Sequence, residues 1–182
     1  TGNPTTCYGW NEERAMTTKH YNYLIIGNSA GGIAAAEAIR ERDRENSLAI
    51  VSDEPYIAYS RPLISEYLAR PCPIESIAFR KADFYAANGI DAILGNGVTG
   101  IDVIRKTAAL ADGETLGWNR LLIATGGTPI VPDMPGADLR GVFTFNKLDD
   151  AKAIDGFLQR HHRRLKAIVI GGGLIGVSVT EA

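Results

Sequence analysis

Two segments of the sequence share one arrangement, in which an apolar run leads into a glycine-rich turn and then into residues that favour a helix. The first reads Tyr-Leu-Ile-Ile-Gly-Asn-Ser-Ala-Gly-Gly over 23–32, and the second reads Ala-Ile-Val-Ile-Gly-Gly-Gly-Leu-Ile-Gly over 167–176. A buried strand, a tight glycine turn and a helix start are typical of dinucleotide-binding units. Two such units indicate two nucleotide sites. Because the sequence ends at Ala182, we expect the second site to be barely begun.

The composition is that of an ordinary globular protein. Hydrophobic residues make up 45% of the chain, charged residues 22%, and the net charge is -2, which argues against nucleic acid as the main partner. The apolar runs are too short to span a bilayer, and no signal peptide is recognisable. The basic residues within 40–44 alternate with acidic ones, as on a solvated helix face. We expect a cytoplasmic protein without a membrane partner.

Cysteine and histidine give no sign of a disulfide framework or a metal centre. Cys7 and Cys72 form no CxxC motif, and such low cysteine content fits a reducing compartment. His161 and His162 are adjacent, so their side chains point apart, and no cysteine or acidic ligand cluster lies nearby. We therefore expect ordinary thiols and no bound metal.

The order of apolar segments predicts an α/β fold. A strand over 21–26, a helix over 30–42 and a strand over 48–51 form one strand–helix–strand unit of the length expected for dinucleotide binding. The other predicted elements are helices over 63–68, 80–88 and 146–160 and strands over 90–94, 98–104, 107–110, 114–118, 121–125 and 167–170.

Three short signals refine these elements. Gly89 is predicted to end the helix over 80–88, and Asp112-Gly113 to form a hairpin turn between two antiparallel strands. Asn146 is a candidate cap for the helix that follows it.

The first turn carries a dinucleotide fingerprint in a degenerate form. Gly27, Ser29 and Gly32 occupy its three positions, and Ser29 replaces the glycine that lets the backbone approach a diphosphate. The alternative is ordinary strand–helix packing. Asp53 follows the second strand, where a carboxylate accepts hydrogen bonds from ribose hydroxyls. Asp53 could instead only begin a turn, with Glu54 as the ribose partner.

A wider set of residues resembles the FAD-dependent pyridine nucleotide-disulfide oxidoreductases. The segment Ala-Thr-Gly-Gly-Thr-Pro over 124–129 resembles the "ATG" segment that lies beside the flavin dinucleotide in that family. The segment Tyr-Ser-Arg-Pro-Leu-Ile-Ser over 59–65 resembles one found in the ferredoxin, rubredoxin and nitrite reductase branch, where the arginine reaches the FAD. The guanidinium of Arg61 suits a diphosphate. In isolation, a surface ion pair with one of the many carboxylates explains this arginine better.

The resemblance implies a fold, a set of cofactors and an activity. The fold would be a Rossmann-like FAD-binding domain with an inserted antiparallel β-meander, followed by the start of a second Rossmann-like domain that holds NAD(P)H on its intact turn. Hydride would pass from nicotinamide to flavin, and electrons to an iron–sulfur or rubredoxin-like protein or a small acceptor. The alternative is a nucleotide-binding fragment of such an enzyme without turnover of its own. The candidate cofactor-binding residues are Gly27, Asn28, Ser29, Ala30, Gly31, Gly32, Asp53, Glu54, Arg61, Val98, Ala124, Thr125, Gly126, Gly171, Gly173, Leu174, Ile175 and Gly176.

The sequence departs from the family in three places. No cysteine matches the redox pair of the disulfide reductases, so thiol chemistry is not expected. Glu66 stands where many reductases of this branch have a lysine near the flavin, and Ser178 stands where relatives often have a glutamate near the nicotinamide. No catalytic residue is assigned.

The expected organisation has three parts. Residues 1–20 are predicted to be a disordered or extension tail, with Met16 as a hypothetical natural start. Residues 21–137 would form the incomplete FAD-binding domain, and residues 138–182 the truncated beginning of the NAD(P)-binding domain.

Overall fold

The computed structural model describes residues 19–161 and 165–182. Within these ranges, six strands form one sheet; they are β1 (Lys19–Ile26), β2 (Leu48–Ser52), β3 (Ile90–Leu94), β4 (Val98–Asp102), β5 (Thr107–Leu110) and β6 (Thr115–Ile123). The α-helices of the same ranges are α1 (Ala30–Arg42), α2 (Ile64–Ala69), α3 (Phe84–Ala87), α4 (Leu148–Gln159) and α5 (Leu174–Glu181). None of these helices has the length and apolarity needed to cross a membrane.

The sheet has a parallel half and an antiparallel half. Its strand order is β3-β2-β1-β6-β5-β4, in which β3, β2, β1 and β6 run parallel and β5 and β4 are antiparallel to their neighbours. The parallel half with α1 confirms the predicted Rossmann-like unit. The β4–β5–β6 hairpins confirm the inserted meander.

Both faces of β2, and of β1 from Tyr21 onward, are largely buried, as their continuous apolar runs predict. Leu24 and Ala49 belong to a core cluster on one side of the sheet, which also contains Trp118. Their chain neighbours Ile25 and Ile50 belong to the cluster on the other side, against α1. Because successive strand residues point to opposite faces, each apolar run contributes side chains to both core clusters.

The strand β6 corrects a prediction. Two strands were expected, over 114–118 and 121–125, with the polar residues Asn119 and Arg120 between them. The structure has one continuous strand, since pairing with β1 runs from Trp118 through Arg120 to Ile123 without a break. Because β1 provides hydrogen-bond partners for the backbone of β6, the two polar residues remain in extended conformation.

The expectation that residues 40–44 lie on a fully solvated helix face is wrong for Arg40. Its side chain is buried, with 7% of its surface exposed. The guanidinium donates hydrogen bonds to four backbone carbonyls, those of Asp43, Asn46, Asn88 and Gly89. Arg40 thereby joins the end of α1 to the loop that precedes β3.

The helix predicted over 80–88 is shorter than expected. Only Phe84–Ala87 are helical. Before this helix, the Arg80 side chain pairs with Glu37 on α1 and donates to the carbonyl of Phe79. Gly89 follows α3 with a φ of 58°, which agrees with its predicted role. The hairpin turn is also confirmed, with a φ of 90° at Gly113.

The start of α4 differs from the prediction. Asn146 does not cap the helix, and Lys147 occupies the N-cap position. The carboxylate of Asp150 instead accepts hydrogen bonds from the backbone N–H groups of Asn146 and Lys147, at 2.6 and 2.9 Å. This leaves the Asn146 side chain free to contact another part of the molecule.

Two expectations near the ends of the described ranges are wrong, and others concern residues outside those ranges. Lys19 and His20 belong to β1 rather than to a tail, because they pair with Leu116 and Gly117. The strand predicted over 167–170 does not form, since a strand needs a hydrogen-bonded neighbour and no described strand lies beside it. Residues 1–18, with Cys7 and Met16, and residues 162–164 lie outside the described residues.

Candidate functional site

A cleft of about 280 Å³ opens where the parallel strands end. The ends of neighbouring parallel strands meet at one edge of a sheet, which is where open α/β sheets bind ligands. Three segments follow β1, β2 and β6 into this cleft, and further side chains come from outside the sheet. The lining residues are Ile26, Gly27, Asn28, Ser29, Val51, Ser52, Asp53, Glu54, Tyr56, Tyr59, Arg61, Gly97, Val98, Ala124, Thr125, Gly126, Gly127, Thr128 and Lys147.

The first turn is closely packed against its surroundings. Gly27 has a φ of 121°, and a Cβ atom there would lie 2.2 Å from the carbonyl oxygen of Ala124. A Cβ atom on Gly32 would lie 1.9 Å from the carbonyl oxygen of Gly27. Both positions therefore require glycine for backbone packing.

The N-terminus of α1 is open to an anion. Ser29 is its N-cap residue but makes no side-chain capping hydrogen bond, and the first turn holds no acidic residue. The N–H groups of a first helical turn carry partial positive charge and have no partner within the helix. A second cavity of about 350 Å³ lies over this helix start, between Gly31, Gly127 and Arg61.

Asn28 has a structural task within the turn. Its Nδ2 donates to the carbonyl of Tyr56 at 3.0 Å, and its Oδ1 accepts from the Tyr85 hydroxyl at 2.8 Å. That hydroxyl in turn accepts from the N–H of Ala58. Asn28 thus holds the loop after β2 against β1, and its side-chain polar atoms are already engaged.

The two carboxylates after β2 have different environments. Glu54 is 8% exposed; it accepts from the Tyr59 hydroxyl and from Nη2 of Arg61, the latter at 2.7 Å. The Asp53 side chain is 64% exposed and lies 2.6 Å from Nζ of Lys147. The hydrogen bond from Lys147 lowers the pKa of Asp53 and raises that of Lys147. Asp53 therefore offers an exposed carboxylate to the cleft, whereas both oxygens of Glu54 are used.

Arg61 is held from two sides. Nη1 donates to the carbonyl of Asn146 at 2.8 Å, while Nη2 makes the ion pair with Glu54. The side chain is about one third exposed and lines both cavities. The alternative of an ion pair is thus realised, but the pair is half-buried and leaves part of the guanidinium facing the cleft.

The segment after β6 presents backbone to the cleft. The N–H of Ala124 donates to the carbonyl of Ile26 at 2.7 Å, which fixes the two strand ends together. Gly126 has a φ of 73°, and a Cβ atom on Gly126 or Gly127 would meet no protein atom within 4 Å. Both glycines line the cleft, and a side chain at either position would enter open space.

The second turn has the same local geometry as the first. Gly171 has a φ of 122°, and a Cβ atom on Gly176 would lie 1.9 Å from the carbonyl oxygen of Gly171. Its surroundings differ, because no residue of α5 is buried and Leu174 is 89% exposed. Gly171, Gly173, Leu174, Ile175 and Gly176 do not line the cleft with the other candidates.

Several residues around the cleft were not predicted from the sequence to belong to it. Lys147 lies 94 residues from Asp53, and it reaches the site, as Asn146 and Gly97 do, only through the fold. Tyr59 belongs to the segment around Arg61, but its contact with Glu54 was not predicted. Glu66 on α2 and Ser178 on α5 do not line either cavity. In residues 19–161 and 165–182, no group of three or more metal-ligating side chains could hold an ion.

Comparisons with known proteins agree with this geometry. Residues 21–182 match the family described as pyridine nucleotide-disulphide oxidoreductase. A ferredoxin–NAD(P)+ reductase of Sphingomonas sp. is 35% identical over 89% of this chain and 39% of its own length. The epsilon subunit of NADH-dependent phenylglyoxylate dehydrogenase from Aromatoleum evansii is 31% identical over 90% of this chain and 38% of its own length.

Among solved structures, NADH:rubredoxin oxidoreductase from Clostridium acetobutylicum superposes with a TM-score of 0.79 at 30% identity. The match covers 90% of this chain and 41% of that structure. The chain thus spans about two fifths of the length of the relatives it matches.

Proposed function

The chain belongs to the pyridine nucleotide-disulphide oxidoreductase family, and on this premise we propose that it acts in an FAD-dependent NAD(P)H oxidoreductase. Its cleft would bind the adenosine diphosphate part of FAD, and the turn over 171–176 would begin the NAD(P)H site. The observation that carries the proposal is the meeting of Gly27, Asp53, Arg61 and Gly126 in one cleft at the ends of parallel strands. Each of these residues was selected from the sequence for a different contact with the same ligand.

The residues present fit such a ligand. The open N-terminus of α1 and the guanidinium of Arg61 suit a diphosphate. The ionised Asp53 suits ribose hydroxyls, which donate hydrogen bonds to a carboxylate. Gly126 and Gly127 leave open the space that side chains would fill. Glu54 would serve as the structural partner of Arg61 rather than as a ligand group.

Bound FAD would supply the capacity to take two electrons from NAD(P)H and pass them to an acceptor. The chain's own residues bind and orient the nucleotide and keep the charges of the cleft balanced. Two of the named relatives are a ferredoxin–NAD(P)+ reductase and an NADH:rubredoxin oxidoreductase, so an iron–sulfur or rubredoxin-like protein is the proposed acceptor class. A cytoplasmic location is proposed with it.

Two domains are part of the proposal. Residues 21–137 would belong to the FAD-binding domain, and residues 138–182 would begin the NAD(P)-binding domain. The contacts of Asn146 and Lys147 with the cleft cross this boundary. The start of α4 is therefore expected to remain attached to the first domain.

A second candidate function is nucleotide binding without turnover by the 182-residue chain alone. The observation that favours it is the state of the second turn, whose preceding residues 167–170 form no strand and have exposed side chains. A nicotinamide site built on this turn lacks a sheet to hold it within the described residues.

Anaerobic absorbance spectroscopy separates the two candidates. The purified chain is mixed with FAD, separated from free flavin, and titrated with NADH and NADPH. A bound flavin spectrum that bleaches with nicotinamide supports the oxidoreductase, and one that persists supports binding without turnover. A chain that retains no flavin contradicts both. Asp53→Asn should weaken retention, whereas Asp83→Asn, on an exposed residue outside the cleft, should not.

A further inference from the structure

Asn146 and Lys147, directly before α4, contact three separate walls of the cleft. Nδ2 of Asn146 donates to the carbonyl of Gly127 at 3.1 Å, and the carbonyl of Asn146 accepts from Arg61 at 2.8 Å. Nζ of Lys147 donates to Oδ2 of Asp53 at 2.6 Å. Two consecutive residues therefore join the end of β6, the turn after β2 and the end of β2 itself.

The position of Lys147 is fixed by the residue after it. Leu148 is completely buried, at 0% exposure, and packs with Tyr59, Ile64 and Ile77. Its N–H donates to the Tyr59 hydroxyl at 3.0 Å. The main chain at Lys147 is thus anchored by a buried neighbour, so its side chain reaches Asp53 from a defined direction.

The ion pair between Lys147 and Asp53 has two effects in the cleft: it restricts the Asp53 side chain and compensates its charge. An exposed aspartate rotates freely, and fixing a side chain in one rotamer costs conformational entropy when a ligand binds. The bond to Lys147 restricts Asp53 before binding. In addition, a carboxylate next to an anionic diphosphate repels it. Lys147 compensates the charge of Asp53, as Arg61 compensates that of Glu54.

We propose that Lys147 is a positioning residue of the nucleotide site, which orients and charge-compensates Asp53 so that this carboxylate accepts hydrogen bonds from the ribose hydroxyls. The inference rests on the proposed function, because it requires a ribose-containing ligand in the cleft. The chemical group that Lys147 acts on is Asp53, and its effect on the ligand is indirect.

A double-mutant cycle tests this action through Asp53. Calorimetric titration with ADP compares the wild-type chain with Lys147→Met, Asp53→Asn and the double variant. Lys147→Met should weaken ADP binding about 5- to 30-fold, the cost of one poorly oriented charged hydrogen bond. In the Asp53→Asn background the same change should cost nothing further, and Lys147→Arg should restore most of the affinity.

A ligand without ribose hydroxyls and a matched control sharpen the test. 2′,3′-Dideoxy-ADP should bind equally to the wild type and to Lys147→Met. Lys19→Met removes another exposed ion pair of the same 2.6 Å length, with Asp91, at the opposite end of β1 from the cleft. That variant should bind ADP as the wild type does.

The outcomes distinguish this inference from the proposed function. If the wild type binds ADP and Lys147→Met binds it equally well, only the role of Lys147 is overturned. Additive losses in the double variant, or an equal loss for the dideoxy ligand, overturn it as well. If the wild type binds neither ADP nor FAD, the nucleotide site is wrong and the role of Lys147 falls with it.

Discussion

Alanine in place of Gly32 should destabilise the chain, although alanine in place of its neighbour Gly31 should not. Both glycines lie in the first turn of α1. A Cβ atom on Gly32 would lie 1.9 Å from the carbonyl oxygen of Gly27, whereas one on Gly31 would meet only the Ala124 side chain, at an ordinary 3.6 Å. The two substitutions add the same methyl group to the same helix turn, so their difference isolates the close approach.

The size of the effect follows from what must move. The carbonyl of Gly27 would have to shift by more than about 1 Å to restore an ordinary contact. The hydrogen bond from its own N–H to Val51, at 2.8 Å, holds the turn in place. Overpacking of this kind costs about 3 kcal/mol, and alanine recovers at most about 1 kcal/mol of helix propensity. We expect a net loss of about 2 kcal/mol for Gly32→Ala and a neutral or slightly favourable change for Gly31→Ala.

The second turn provides an internal comparison. Gly176→Ala introduces the same 1.9 Å approach, to the carbonyl oxygen of Gly171. No residue of α5 is buried, so local rearrangement there should change the global free energy of unfolding by less than about 0.5 kcal/mol.

Urea denaturation followed by far-ultraviolet circular dichroism measures all three variants. With a slope of about 2 kcal/mol per molar, Gly32→Ala should lower the midpoint by about 1 M. Gly31→Ala and Gly176→Ala should keep the wild-type midpoint. Equal midpoints for Gly32→Ala and Gly31→Ala would refute the packing argument. A large loss for Gly176→Ala would show that the second turn is integrated into the folded core.

Three further predictions concern buried and charged groups. Arg40→Met should cost about 2–4 kcal/mol of unfolding free energy in urea denaturation, because four carbonyls lose a charged donor; an unchanged midpoint would contradict its anchoring role. Tyr59→Phe should cost about 1–3 kcal/mol in the same assay, because the buried Glu54 loses a hydrogen bond, and a neutral result would be inconsistent with this network. Because Lys147 lowers the pKa of Asp53, the ion pair should stabilise the folded chain above the ordinary pKa of an aspartate, and this stabilisation should be lost as pH falls through the lower pKa of the folded state. The melting temperatures of the wild type and Asp53→Asn should therefore converge in acid. A difference that persists there would count against the ion pair.

The strand–helix–strand unit could be predicted because its signals are local. The apolar run that becomes β1, the glycines that follow it and the alanine-rich helix α1 are contiguous in the chain, and their physical causes act over a few residues. The same holds for the hairpin turn at Asp112-Gly113. The candidate site residues after β1 and β2 came from the glycine fingerprint and from the acidic residue expected after the second strand. Those after β6 came from the resemblance of the Ala-Thr-Gly segment to the family.

The features that were not predicted correctly from the sequence have non-local causes. The break expected at Asn119-Arg120 disappears because β1 lies alongside. Arg40 is buried because its guanidinium donates to the carbonyls of Asn88 and Gly89, which lie more than 40 residues away in the sequence. Residues 167–170 have the composition of a strand but lack a neighbour within the described chain. Lys147 meets Asp53 only through the packing of Leu148.

The central claim is that the cleft at the strand ends binds a nucleotide diphosphate. A titration of the ¹⁵N-labelled chain with ADP, followed by amide resonances, tests it most directly. We predict saturable shifts for amides in 27–32, for Asp53, and for amides in 124–127, with the amides over 171–176 unchanged. Shifts confined to 171–176, or none in the first turn at millimolar ADP, would contradict the assignment of this cleft.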